Sequence, residues 1–185
     1  MPALTADPIS AARMEESIGK LWDEFLKRYF NAADHTVGGE VLAFPAAEIR
    51  MQGRPTSQPH DGVSIMVTWA MPSYMRRCWE TVEDETQEMI HARMTFMFWI
   101  RAAGAFADGT NARYRAQQTA DRLYAVMCNS AETRDLSARG IQRIRTRIPQ
   151  LVANGPQAPG ASDAKDYEMR LMMVAATLRY AVLSQ

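Results

Sequence analysis

The sequence predicts one α+β domain, a mostly antiparallel or mixed sheet carrying a long hairpin and flanked by two main helices. Three observations support this. Residues 90–100 and 172–182 place apolar side chains at every second position, which lines one face of a strand and would scatter around a helix. Two other segments, 18–29 and 112–127, repeat their apolar residues at helical spacing. The strands succeed one another in hairpins and do not alternate one-for-one with helices, which argues against a doubly wound parallel sheet.

The first helix carries Ile18, Leu21, Trp22, Phe25 and Tyr29 on one stripe, widened by Leu26 and Phe30. Asp7 followed by Pro8 reads as its N-cap and first helical position. The Asn/Asp/His stretch before Gly38-Gly39 ends it. Short strands follow at Glu40–Phe44 and Glu48–Gln52, then a turn-rich loop at 53–62 with two prolines. Val63, Ile65, Val67 and Trp69 alternate with Ser64, Met66 and Thr68, giving a half-buried strand that Pro72 stops.

Residues 74–101 read as the hairpin. Its outgoing arm is Tyr74–Val82, and its return arm puts Ile90, Ala92, Met94, Phe96, Phe98 and Ile100 on one face. The other face mixes His91, Arg93 and Arg101 with Met97 and Trp99, a composition suited to contact with another chain. Thr110 or Asn111 caps the second helix, which ends near Asn129. Residues 129–140 are polar and irregular, Ile141–Val152 reads as one strand, and 154–166 is a second loop. The strand from Tyr167 to Leu183 is apolar enough to be central in the sheet.

The chain has 185 residues, with 21 basic and 21 acidic side chains. That composition excludes a disordered or collagen-like chain and a protein that coats nucleic acid with its whole surface. Only Lys20, Lys27 and Lys165 are lysines, so the basic residues are nearly all arginine, the cation suited to planar, bidentate contacts. Thirteen Met and four Trp lean the same way, toward contact surfaces. Cys78 and Cys128 are too few and too far apart for a disulfide scaffold, which fits a reducing compartment. No signal-peptide core opens the chain, and no run of about 18 apolar residues would cross a membrane.

The search for chemistry yields no catalytic residue, metal ligand set or cofactor motif. His35 beside Asp34 and His60 beside Asp61 fall in loop-like sequence, and they are what a small-molecule enzyme or ligand-binding domain would have to use. His91 reads as a surface or interface residue. Zinc-ligand spacing, a phosphate-binding loop and a nucleophile elbow are all missing from the sequence. The charge pattern says more. Glu80, Glu83, Asp84, Glu85 and Glu88 gather at the hairpin tip, while Arg139, Arg143, Arg145 and Arg147 form a basic run. A hard cation could sit on Glu83–Glu85, but without an EF-hand pattern a solvated tip fits better. On a regular strand, 143, 145 and 147 would share one face at about 7 Å spacing. They would meet a neighbouring subunit's acidic patch or face DNA phosphates, and two opposite patches in a neutral chain favour the subunit. A stand-alone nucleic-acid module is disfavoured by the neutral charge and by the lack of stacking aromatics beside Arg143–Arg147.

The order of these segments resembles the tail-terminator, or tail-completion, proteins of long-tailed bacteriophages. The resemblance runs over about residues 15–183: the helix SIGKLWDEFLKRYF, strands around Phe44-Pro45, the alternating ARMTFMFWIRAAG, the helix ARYRAQQTADRLYAVM, IQRIRTRIPQLV, and the apolar YEMRLMMVAATLRYAVL. It implies a structural, non-enzymatic virion protein assembled in the host cytoplasm. Copies would form a ring, commonly a hexamer, on the last ring of tail tube protein. The ring would stop tube growth, meet the head-tail connector or stopper protein, and let DNA pass without sequence-specific binding. A tail tube or head-completion (stopper) ring protein is the nearby alternative. The loops at 53–62 and 154–166 match nothing in that pattern.

Overall fold

The computed structural model describes residues 4–30, 34–37, 40–43, 47–51, 62–70, 72, 74–82, 84–104, 106, 109–156 and 166–182. A 3₁₀ turn, Ala11–Arg13, leads into helix α1, Met14–Phe30. Strands β1 (Asp34–Val37), β2 (Glu40–Ala43), β3 (Ala47–Met51) and β4 (Gly62–Trp69) follow. The hairpin is β5 (Tyr74–Val82) and β6 (Glu85–Ala103). Helices α2 (Ala112–Cys128) and α3 (Arg134–Ala138) precede β7 (Ile141–Thr146), β8 (Gln150–Pro156) and β9 (Asp166–Ala181).

β1 and β2 pair only with each other; the other seven strands form one mixed sheet in the order β3-β4-β6-β9-β7. β5 continues the β4 side of β6, and β8 continues the β7 side of β9. Among the described strands, only β3 and β4 run parallel. β6 and β9 pair from Met89–Ala181 to Ala103–Tyr167, so the two apolar strands form the centre. The expected α+β class and the central place of the 167–183 strand are both found.

Both long helices cover the same face of the sheet. Trp22 sits edge-on to Phe96 and Phe98, with ring centroids 5.1 Å away in each case. Ile18, Leu21, Phe25, Met172, Val174 and Leu178 are buried with them. Asn111 caps α2, its Oδ1 accepting from the Tyr114 amide at 2.8 Å.

Four expectations need correction. Asp7 and Pro8 do not start α1, because residues 4–9 run as a strap that buries Leu4 and Ile9. Both Glu24 carboxylate oxygens accept strap amides, from Thr5 at 2.6 Å and Ala6 at 2.8 Å, while the Ile9 amide donates to the Arg139 carbonyl at 3.0 Å. Those bonds outweigh an early helical turn. Asp34–Val37, expected as loop, pairs with β2. The polar 129–140 stretch contains α3, tied to α1 by Arg28–Asp135 at 3.0 Å and by Tyr29 donating to Glu132 at 2.5 Å. Finally, Ile141–Val152 is two strands, not one. β7 bulges between Gln142 and Arg145 and stops before Pro149, and β8 restarts at Gln150 and runs through Asn154 to Pro156. Residues 52–61 and 157–165, most of the two expected loops, lie outside the described residues.

Candidate functional site: the open sheet face

With the helices on one side, no described helix covers the other face of the sheet. The strand registers put Tyr74, Arg76, Cys78 and Glu80 of β5 there, beside His91, Arg93, Thr95, Met97 and Trp99 of β6. Thr177 and Arg179 of β9 share that face. Met97 and Trp99 are half-buried, and the Trp99 indole donates to Thr68 Oγ1 at 3.1 Å.

At the β5–β6–β9 junction four side chains converge. Glu80 Oε2 accepts from Arg179 Nε at 2.9 Å and lies 2.8 Å from Nη2. Glu80 Oε1 lies 2.6 Å from His91 Nε2 and 3.3 Å from the Cys78 thiol. The Arg179 guanidinium is the main cause that holds the Glu80 carboxyl down at about 2, against partial desolvation. Desolvation, then the Glu80 carboxylate, push the Cys78 thiol up. A thiol kept protonated is a poor nucleophile, so the cluster does not resemble an activated cysteine site.

Cys78, Glu80 and His91 place one donor atom each within 4.8 Å of one another, a set that could hold a zinc-class ion. The surroundings oppose a cation. Arg179 already occupies Glu80 Oε2, and Arg76, Arg93 and Arg143 line the same groove. The arrangement is better built to receive negative charge.

The groove measures about 540 Å³ and is bordered by Tyr74, Arg76, Trp79, His91, Arg93, Arg143 and Thr177. A smaller space of about 310 Å³ shares Arg93, Arg143 and Thr177 and adds Arg145. Arg93 lies over the Tyr74 ring at 5.9 Å. Among the described residues, no carboxylate pairs with Arg76, Arg93, Arg143 or Arg145.

The residues singled out from sequence fall into separate places. Arg139 closes α3 and donates to the Leu4 carbonyl at 2.8 Å, a structural role. Arg143 stands in the β7 bulge at φ 52°, so 143, 145 and 147 do not form the regular ladder expected of them. Arg145 and Arg147 are exposed. Glu80 is spent on Arg179, and Glu88 lies 3.6 Å from Arg77. Asp84 and Glu85 are exposed at the hairpin turn. Glu83, His60, Asp61 and the side chains of Asp34 and His35 lie outside the described residues. Sequence reasoning missed Cys78, Arg76 and Arg179 as members of one cluster, because strand pairing alone brings them together.

The two sides of the sheet also carry bare apolar residues. Tyr74, Met75 and Trp79 project from β5, with Trp79 71% exposed. Ile148, Leu151 and Val152 project from β8 and the turn before it, with Ile148 71% exposed. No helix of the described residues is long and apolar enough to cross a membrane. No protein-family model matches the sequence, and no curated protein matches it.

Proposed function

We propose that the chain is the subunit of a closed ring that ends a phage tail tube and joins it to the head connector. One observation supports the reading most directly: exposed apolar residues stand on both opposite sides of a single sheet, Tyr74, Met75 and Trp79 on one and Ile148, Leu151 and Val152 on the other. Two different patches on one chain make a head-to-tail contact, and such contacts close into rings when the rotation permits. Charge agrees with this pairing, since Asp84 and Glu85 extend from the first side and Arg145 and Arg147 lie on the second. Among the described residues the C-terminal strand reaches β6 no further than Glu88, whose carbonyl accepts from the Val182 amide at 2.9 Å, and the described part of the hairpin turn, Asp84 and Glu85, lies beyond that contact. The function would be geometric: a closed ring seated on the tube leaves no edge for another subunit.

Mass measurement in solution combined with electron-microscope images tests this. Closed rings of a single size, about six copies, are expected. A monomer at all concentrations overturns the proposal, and open filaments assign the chain to the tube instead.

A further inference from the structure

We infer that the groove across β5, β6, β9 and β7 binds a nucleoside phosphate, either as a free nucleotide or as a unit of a single strand. Arg76, Arg93 and Arg143 come from three different strands and converge on one concavity whose described carboxylate, Glu80, is paired with Arg179 and not with them. Guanidinium groups brought this close repel one another, and an oxyanion bound between them relieves that repulsion through bidentate hydrogen bonds. The groove volume, about 540 Å³, is that of a small-ligand site.

The backbone adds a second, independent observation. Arg143 has φ 52°, a left-handed conformation that side-chain-bearing residues seldom adopt, inside a bulge that spoils the β7–β9 register. A regular strand would avoid that strain. Bulges re-aim side chains, and this one leaves Arg143 lining the groove beside Thr177. Below the arginines, the Glu80–Arg179 pair holds Glu80 in a charge-compensated state, so the one described carboxylate in the groove does not oppose an anion.

An aromatic side chain supplies the nucleoside part. The sequence near Arg143 offers no stacking residue, but the fold brings Tyr74 of β5 to the same groove. Tyr74 is 56% exposed, and a phenol ring presented to solvent at the groove is suited to stacking a base. The groove is lined by residues of one chain, so binding there requires no ring assembly.

The test is titration of the intact protein, by calorimetry, with ADP, pyrophosphate and a thymidine oligonucleotide of about ten units. Saturable binding of ADP, or of the oligonucleotide alone, supports the inference and identifies the free or the strand-borne source respectively. Affinity is expected to fall about tenfold as salt rises from about 50 to about 200 mM. Arg143→Asn, which keeps a residue tolerant of left-handed backbone, should weaken binding about tenfold or more. Arg93→Gln, on regular strand, gives the same reading should Arg143→Asn lower the melting temperature. Tyr74→Ala should weaken ADP about tenfold and leave pyrophosphate unchanged. Failure of both ADP and the oligonucleotide to bind overturns the inference, as does binding that neither arginine variant affects or an ADP affinity indifferent to Tyr74→Ala.

Discussion

Arg179 and Glu80 lie 99 residues apart in the chain, yet Arg179 Nε donates to Glu80 Oε2 at 2.9 Å, tying β9 to β5 across β6. The contact joins the edge strand to the centre of the sheet and holds the Glu80 carboxyl at about 2.

That shift sets a pH window. A carboxylate lowered from 4.5 to about 2 contributes stability that is fully present above 4.5 and is lost as pH falls toward 2. Glu80→Gln is therefore expected to be less stable than the wild type at neutral pH and to flatten the fall in melting temperature across that window. A variant whose pH profile parallels the wild type's would remove Glu80 from the acid response.

Gly140 is expected to tolerate no side chain. At φ +103°, a Cβ there would lie 2.4 Å from the Arg179 carbonyl oxygen, against backbone that β7 pairing holds in place. Gly140→Ala should lose about 1–3 kcal/mol from backbone strain alone, or roughly 2–12 °C in Tm, with the clash added. Gly109→Ala is the control: Gly109 also has positive φ, +77°, but nothing lies within 4 Å of its added Cβ. Equal losses at the two sites would show that the contact with β9 is not what constrains Gly140.

The Cys78 thiol, pushed up by desolvation and then by Glu80, should alkylate slowly at neutral pH and faster as pH rises past the ordinary thiol range. Measured in a Cys128→Ser background, Glu80→Gln should shift that profile to lower pH. An unchanged profile would mean that the carboxylate does not act on the thiol.

Association is expected to depend on both sides of the sheet. Trp79→Ser and Leu151→Asp should each weaken self-assembly at least about tenfold, the loss of a buried anchor at an interface. Reversing Asp84 and Glu85 to Arg should be rescued in part by Arg145→Glu with Arg147→Glu on the partner copy. Rings that form normally from all the single-side variants would place the contact elsewhere.

The central strands were legible because β6 and β9 carry strict alternation over their length, and burial on one face requires that pattern. The helices were legible from spacing, as Trp22 and Phe25 show. Other features left no such trace. β1 holds only Asp34, His35, Thr36 and Val37, too short to show a period. α3 is five residues with one buried side chain, Leu136, and it is held by contacts made elsewhere in the chain: Arg28 of α1 on Asp135, and the strap residues Leu4 and Ile9 on Arg139. The left-handed backbone of Arg143 has no signature, since arginine is not a residue that announces it. Glu80 looked like one of five tip acids, and only the pairing of β5 with β6 and β9 separates it from Asp84 and Glu85.

The central place of β9 has a further consequence, for how the molecule is made. β6 ends at Ala103, and its partner does not begin until Asp166. At ordinary ribosomal rates the gap lasts on the order of several seconds. Throughout it, Phe96, Phe98 and Ile100 belong to a strand with one long edge unsatisfied, in a segment rich in β-formers. Nascent chains on one message would therefore be prone to cross-pair, and a holding chaperone or fast neighbouring synthesis of β9 would decide the yield. The late arrival of a single strand makes productive folding a race, in which arginines interspersed along β6 act as gatekeepers against the wrong partner.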